Sequence, residues 1–170
     1  YSDAQLLTLL ANDPDPFNRW EAGQRLALRS AINSIAAGAD TTGATPLNDA
    51  YIDAMRAVLR HPTLDAAFKE LVLTLPSETY IAEQLDVVDP QRIHAVREAM
   101  RLQLATALQA DWEWAFEVHK DNGAYRPDPV SSGRRALAGM ALSFLCLAAV
   151  QSTASTGSGQ ADVWPGKTLQ

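Results

Sequence analysis

Apolar residues recur along this chain at helical intervals, and capped breaks divide them into segments. Ser2 is placed to cap a short first helix whose apolar residues are Leu6, Leu7, Leu9 and Leu10. The run Asn12-Asp13-Pro14-Asp15-Pro16 ends it. Asp15 followed by Pro16 reads as an N-cap with proline at the first helical position, where its missing N–H costs nothing. The second helix carries Phe17, Trp20, Leu26, Ala27, Ala31 and Ile35 and is expected to stop at Gly38, the residue best able to take a left-handed cap. Ala39 to Thr45 reads as a loop. Thr45-Pro46 repeats the cap-then-proline signal ahead of Leu47, Tyr51, Met55, Val58 and Leu59.

His61-Pro62 ends that third helix. A fourth is predicted from about Asp65, with Phe68, Leu71, Val72 and Leu75 inward. Pro76-Ser77 opens a short fifth, containing Tyr80, Ile81 and Leu85. From Asp89-Pro90 one long helix is expected to about Lys120, with Ile93, Val96, Met100, Leu104, Leu108 and Trp112 on a single stripe. Asn122-Gly123 ends it, and Arg126-Pro127-Asp128-Pro129 reads as a rigid turn. The seventh helix should start near Ser131 or Ser132 and cover the apolar run to Val150. It is apolar on nearly every face, which predicts a central, buried helix. No segment holds a strand period of two. The expected fold is all-α: antiparallel helix pairs stacked as an α-solenoid, a HEAT/armadillo-like superhelix, incomplete at the C-terminal end. Residues 1–150 form the helical domain. Residues 151–170 are expected to be a flexible Ser/Thr/Gly-rich loop and the start of a further, truncated element at Val163-Trp164-Pro165.

Composition narrows the function. The 170 residues are 47% hydrophobic and 7% aromatic, rich in alanine and leucine, which suits one helical domain. Fourteen Lys+Arg against twenty Asp+Glu leave a net charge of -6, which argues against nucleic acid as a partner. Cys146 is the only cysteine and lies in an apolar run, so no internal disulfide forms and a buried, reduced thiol is expected. The opening Tyr1-Ser2-Asp3 has no basic or apolar leader. The longest apolar stretch, Ala136 to Val150, is shorter than the ~20 residues of a bilayer span. These readings predict no membrane partner and a cytoplasmic location.

Candidate chemistry is sparse. His61, His94 and His119 are the histidines, and none stands in H-E-x-x-H. His94 and Glu98 share a helix face, but a hydrolytic zinc site needs a third ligand and an open position, so they read as a solvated polar pair. His61 reads as a helix C-cap. Glu113 and Glu117, beside Trp112 and Trp114, could do acid/base work, but a charged face with its tryptophans turned inward is the favoured reading. Gly157-Ser158-Gly159 lacks the strand-turn-helix frame of a nucleophile elbow, and Gly133 before Arg134-Arg135 follows no strand. Those arginines are expected to pair with nearby carboxylates. Asp86, Asp89 and Arg92 read as cap architecture. Arg97 and Arg101 are candidates for bridges between helices. No catalytic, cofactor-binding or metal residue is assigned.

Five strings, in order, carry a resemblance. They are Phe17-Asn18-Arg19-Trp20-Glu21-Ala22-Gly23-Gln24, Leu73-Thr74-Leu75-Pro76-Ser77-Glu78, Val88-Asp89-Pro90 with Ile93-His94-Ala95-Val96-Arg97-Glu98, Gly133-Arg134-Arg135-Ala136-Leu137, and Val163-Trp164-Pro165-Gly166-Lys167. Together they resemble the first part of the C-terminal helical domain of bacterial aminopeptidase N. The resemblance implies a parent zinc metallopeptidase that removes N-terminal residues from peptides. Its zinc motif, its downstream glutamate ligand and its G-x-M-E-N motif would lie in a separate catalytic domain, so the zinc belongs to the parent and no such residue is carried over here. It also implies that the helical domain closes over an internal chamber, with the catalytic and β-sandwich domains of the same polypeptide and peptides as partners. The loop at Gln151 to Gln160 departs from the family pattern. A non-catalytic capping domain is the first reading. A free-standing helical module binding proteins or peptides is the alternative, and an independent hydrolase ranks last. A half-solenoid would leave an apolar face uncovered, which predicts self-association.

Overall fold

The computed structural model describes residues 1–38 and 44–156, and every regular element among them is helical. Helix α1 (Asp3–Asn12) is closed by a reciprocal capping box: Ser2 Oγ accepts from the Gln5 N–H at 3.3 Å, and Gln5 Oε1 accepts from the Ser2 N–H at 2.9 Å. Helix α2 (Pro16–Ala36) has the expected Asp15 cap and ends before Gly38, whose φ of 70° is the left-handed stop that glycine makes without strain. Of the expected loop, residues 39–43 lie outside the described residues.

Helix α3 (Asp49–Arg60) starts later than Thr45-Pro46 suggests. Its cap is Asn48, which accepts from the Tyr51 N–H at 2.8 Å. The reason is Leu47. Its side chain is buried, and the Gln103 carboxamide bonds its N–H at 2.8 Å and its carbonyl at 2.6 Å, holding the chain out of helix. Helices α4 (Ala66–Leu73) and α5 (Glu78–Ala82) begin where expected, and Asp65 and Ser77 cap them. Inside α4 one expectation fails: Leu71 is exposed, and Lys69 is buried in its place.

The long helix predicted to Lys120 is two. Helix α6 (Pro90–Ala107), capped by Asp89, gives way to α7 (Gln109–His119) at Leu108, where φ and ψ are -111° and 20°. The apolar stripe from Ile93 to Trp112 is buried throughout, so the break leaves the buried side continuous. The indole of Trp112 folds back and donates from Nε1 to the Leu104 carbonyl at 3.0 Å. Its ring stacks on Phe144 at 4.5 Å between centroids.

Helix α8 (Pro129–Thr156) departs most from expectation. It begins at a fourth cap-then-proline pair, Asp128-Pro129, with Asp128 Oδ1 accepting from the Ser131 N–H at 2.9 Å. That bond holds the Asp128 carboxyl below its usual range. The helix continues to Thr156, so residues 151–156 are helical. Beyond them the expected loop tip and the Val163-Trp164-Pro165 element lie outside the described residues. Nor is α8 central. Leu137, Ala141, Phe144 and Ala148 pack inward on the side that meets α4, α6 and α7. The other side is open, with Leu142 46% and Val150 66% exposed. Cys146, expected in the core, is exposed on that side too. Hydrophobicity on all faces says what a helix tolerates, not how many neighbours it has. By length and composition alone Pro129–Thr153 is long and apolar enough to cross a membrane, as the core helix of a water-soluble protein can also be.

Candidate functional site

The residues singled out for chemistry turn out to be fasteners. His94 does not meet Glu98. Its Nδ1 lies 2.8 Å from Glu78 Oε1 on α5, while Glu98 accepts from Arg101 at 2.9 and 3.0 Å within α6. The expected solvated His94–Glu98 pair is therefore replaced by a tie between two helices. Arg101 bridges within its own helix, and Arg97 reaches across by another route, donating from Nε to the Pro76 carbonyl at 2.8 Å. His61 is the C-cap residue of α3, as expected. Glu113 accepts from Gln109 and Glu117 pairs with Lys120, so the two carboxylates work separately. Trp112 is buried; Trp114 is half-buried beneath the Arg60 guanidinium, which sits 4.2 Å above its ring.

Three of the five recognised strings meet in space. Gln24 Nε2 on α2 donates to the Thr74 carbonyl at 2.7 Å, so the Leu73–Glu78 connection is gripped by Gln24 from one side and by Arg97 and His94 from the other. Gly133, from a fourth string, marks a close helix crossing rather than a phosphate loop. Arg134 donates to the Val118 carbonyl at 2.8 Å, and Arg135 lies 3.9 Å from Asp121 and over the Tyr125 ring. Residue types kept for packing and residue types kept for catalysis look alike in a sequence, and only these distances separate them.

What remains accessible is a surface. A cleft of about 350 Å³ runs between α4, α6 and α8, with Glu70, Arg97 and Arg101 on its polar side and Met140 and Phe144 on its apolar side. Ala136, Gly139 and Ser143 floor it on α8. A Cβ built at Gly139 would meet nothing within 4 Å, so the helix backbone is open to close approach there. The exposed Leu142, Cys146 and Val150 extend the apolar part along α8. Ser143 Oγ is spent on the Met140 carbonyl at 2.8 Å. The cleft can bind; it presents no nucleophile joined to a base among the described residues. Among the described residues no group of three or more His, Cys, Asp or Glu is placed to hold a metal, and His94 is engaged by Glu78.

Comparison with known proteins gives these features a context. Residues 3–162 match the family model described as "Domain of unknown function (DUF3458_C) ARM repeats", which agrees with the expected α-solenoid. The chain is similar to aminopeptidase N of Caulobacter vibrioides, 39% identical over 130 residues, covering 76% of this chain and 14% of that protein. It is likewise similar to aminopeptidase N of Escherichia coli, 36% identical over 145 residues, covering 85% of this chain and 16% of that one. The chain thus spans about one-seventh of the length of these relatives. In fold it resembles the crystal structure of Legionella pneumophila aminopeptidase A in complex with aspartic acid, with a TM-score of 0.72 over 92% of this chain and 18% of that one, at 21% identity.

Proposed function

We propose, from the premise that this chain belongs to the ARM-repeat family described as a domain of unknown function (DUF3458_C), that it serves as a non-catalytic helical domain of a zinc-dependent aminopeptidase N. In this reading it closes over the active-site chamber and restricts which peptides reach it. The observation that carries the proposal is the identity of 36–39% to two aminopeptidase N proteins over most of this chain. The cleft and the open face of α8 support it, because they offer binding surface where no reacting constellation is found among the described residues.

The zinc would be held by residues of another domain, and no step of hydrolysis is assigned to this chain. Its partners would be the catalytic and β-sandwich domains of the same polypeptide. A cytoplasmic location goes with this reading; the exposed, unpaired Cys146 thiol suits a reducing compartment.

Two measurements test the proposal. The purified chain, with or without zinc, is expected to leave aminoacyl chromogenic amides intact; zinc-dependent turnover that follows the protein peak would overturn it. Added to a separately produced catalytic portion, the chain is expected to slow cleavage of long polypeptides more than that of dipeptide-sized substrates. Equal effects on both, with binding demonstrated, would remove the access role.

A further inference from the structure

Opposite charges line the cleft between α4, α6 and α8 without pairing. Arg97 and Arg101 stand one turn apart on α6, so they share a helix face, and Glu70 on α4 lines the same space of about 350 Å³. All three side chains are half-buried, which restricts where they can swing. The Glu70 carboxylate joins no ion pair or hydrogen bond among the described residues; only its backbone carbonyl is engaged, accepting from the Thr74 hydroxyl at 2.9 Å.

Both guanidinium groups are held by one edge and free at the other. Arg97 donates from Nε to the Pro76 carbonyl at 2.8 Å, its Nη1 lies 3.9 Å from Glu98 Oε1, and its Nη2 has no partner among the described residues. Arg101 donates from Nη1 to the two Glu98 oxygens at 2.9 and 3.0 Å, which leaves Nε and Nη2. None of these free nitrogens is sealed inside the fold, so they reach solvent. The neighbouring hydroxyls are spent, Ser143 on the Met140 carbonyl at 2.8 Å and Thr74 on Glu70. The rest of the wall is apolar, with Leu73 on α4 and Met140 and Phe144 on α8.

We propose that this cleft binds a small zwitterion, a free α-amino acid with an apolar side chain: its carboxylate on Arg97 and Arg101, its ammonium on Glu70, and its side chain against Met140 and Phe144. A simple carboxylic acid would answer the arginines but meet repulsion from Glu70, and a simple amine would meet the reverse. A molecule that carries both charges satisfies all three groups and gives the half-buried Glu70 a counter-charge. The volume lies at the small end of the range for ligand sites, ~300–1,000 Å³, which suits a single amino acid. Gly139, with open space where a Cβ would stand, lets the ligand lie close to the α8 backbone. The site belongs to this chain alone and stands whether or not the domain covers a chamber.

The test titrates the full chain with L-leucine and follows the Met140 methyl resonance, with the fully buried Met55 as an internal reference. The Met140 signal is expected to move saturably while Met55 stays. Two analogues dissect the ligand: 4-methylpentanoate lacks the ammonium and L-leucinamide lacks the carboxylate, and each is expected to bind about tenfold more weakly or worse. Glu70→Gln should weaken L-leucine by about tenfold and tighten 4-methylpentanoate, because the repulsion is gone. Gly139→Leu should block both by filling the floor of the cleft, and it keeps the helix because leucine is the better helix former. A Met140 shift that never saturates would overturn the site. So would 4-methylpentanoate binding as tightly as L-leucine, or L-leucine binding unchanged in Glu70→Gln or Gly139→Leu.

Discussion

Gly133 of α8 lies so close to Ala67 of α4 that a Cβ built on the glycine would stand 2.9 Å from both the Ala67 Cβ and the Ala67 backbone nitrogen. Both obstacles are short and fixed. Gly133→Ala therefore cannot be absorbed by a side chain swinging away, and α4 and α8 must part. The expected cost is about 1–3 kcal/mol, the range for overpacking a close contact. Denaturant unfolding measures it. A midpoint within error of wild type would mean that the crossing is looser than these distances require.

Asp89→Ala is expected to cost about 1 kcal/mol. The Asp89 side chain accepts from the Arg92 N–H at 3.1 Å and opens α6, with Pro90 set in the first turn behind it. Asp89→Asn should recover most of the loss, since an amide oxygen accepts the same bond. Failure of the rescue would assign the effect to charge at the helix start rather than to the cap.

Stability is expected to fall in mild acid, in part through His119. Burial, the largest cause, holds its pKa below the ordinary 6.5, against the bond to the Ala115 carbonyl that raises it; Lys69 and Arg134 lower it further. A base with a depressed folded-state pKa binds its proton more readily when unfolded. Its contribution is therefore complete above the unfolded value of 6.5 and is lost as pH falls from there towards the folded value. His61, lowered chiefly by burial and also by Arg19 and Lys69, acts in the same direction. Melting across this window should show a slope that flattens in His119→Gln. An unchanged slope in that variant would place the acid sensitivity elsewhere.

The open side of α8 predicts concentration-dependent association of the isolated chain. Leu142→Lys, placed on that side, should reduce it in sedimentation experiments while changing stability by no more than about 0.5 kcal/mol. A wild-type chain that stays monomeric at high concentration would show that the face is not adhesive enough to need covering.

Local signals were legible in the sequence. Ser2, Asp15 and Asp89 cap the helices they were expected to cap, and Asp65 and Ser77 stand at the expected starts of theirs, because a cap depends on residues three positions away at most. Errors arose where a distant partner decides. Thr45-Pro46 carries the right local pattern, but Gln103 holds Leu47 extended and moves the start of α3 to Asp49. Leu108 belongs to an unbroken apolar stripe, and nothing in that stripe records that the Trp112 indole bends back to Leu104. The composition of α8 could not say that one of its sides lacks a neighbour. The family resemblance survived these errors because its strings mark the fasteners Gln24, Thr74, Pro76, Glu78, His94 and Arg97, whose partners are one another.

The turn at Leu108 also sets how the chain meets a protease. A break inside a long helical tract is normally where an enzyme finds slack backbone to thread through its cleft. Here the Leu108 side chain is fully buried, its N–H bonds the Leu104 carbonyl at 3.1 Å, and its carbonyl accepts from Trp112 N–H at 2.8 Å. The elbow is rigid and has nothing loose to offer. Cutting of the folded chain should spare this joint and begin where the backbone lacks such ties, as around Tyr125 and Arg126 ahead of α8.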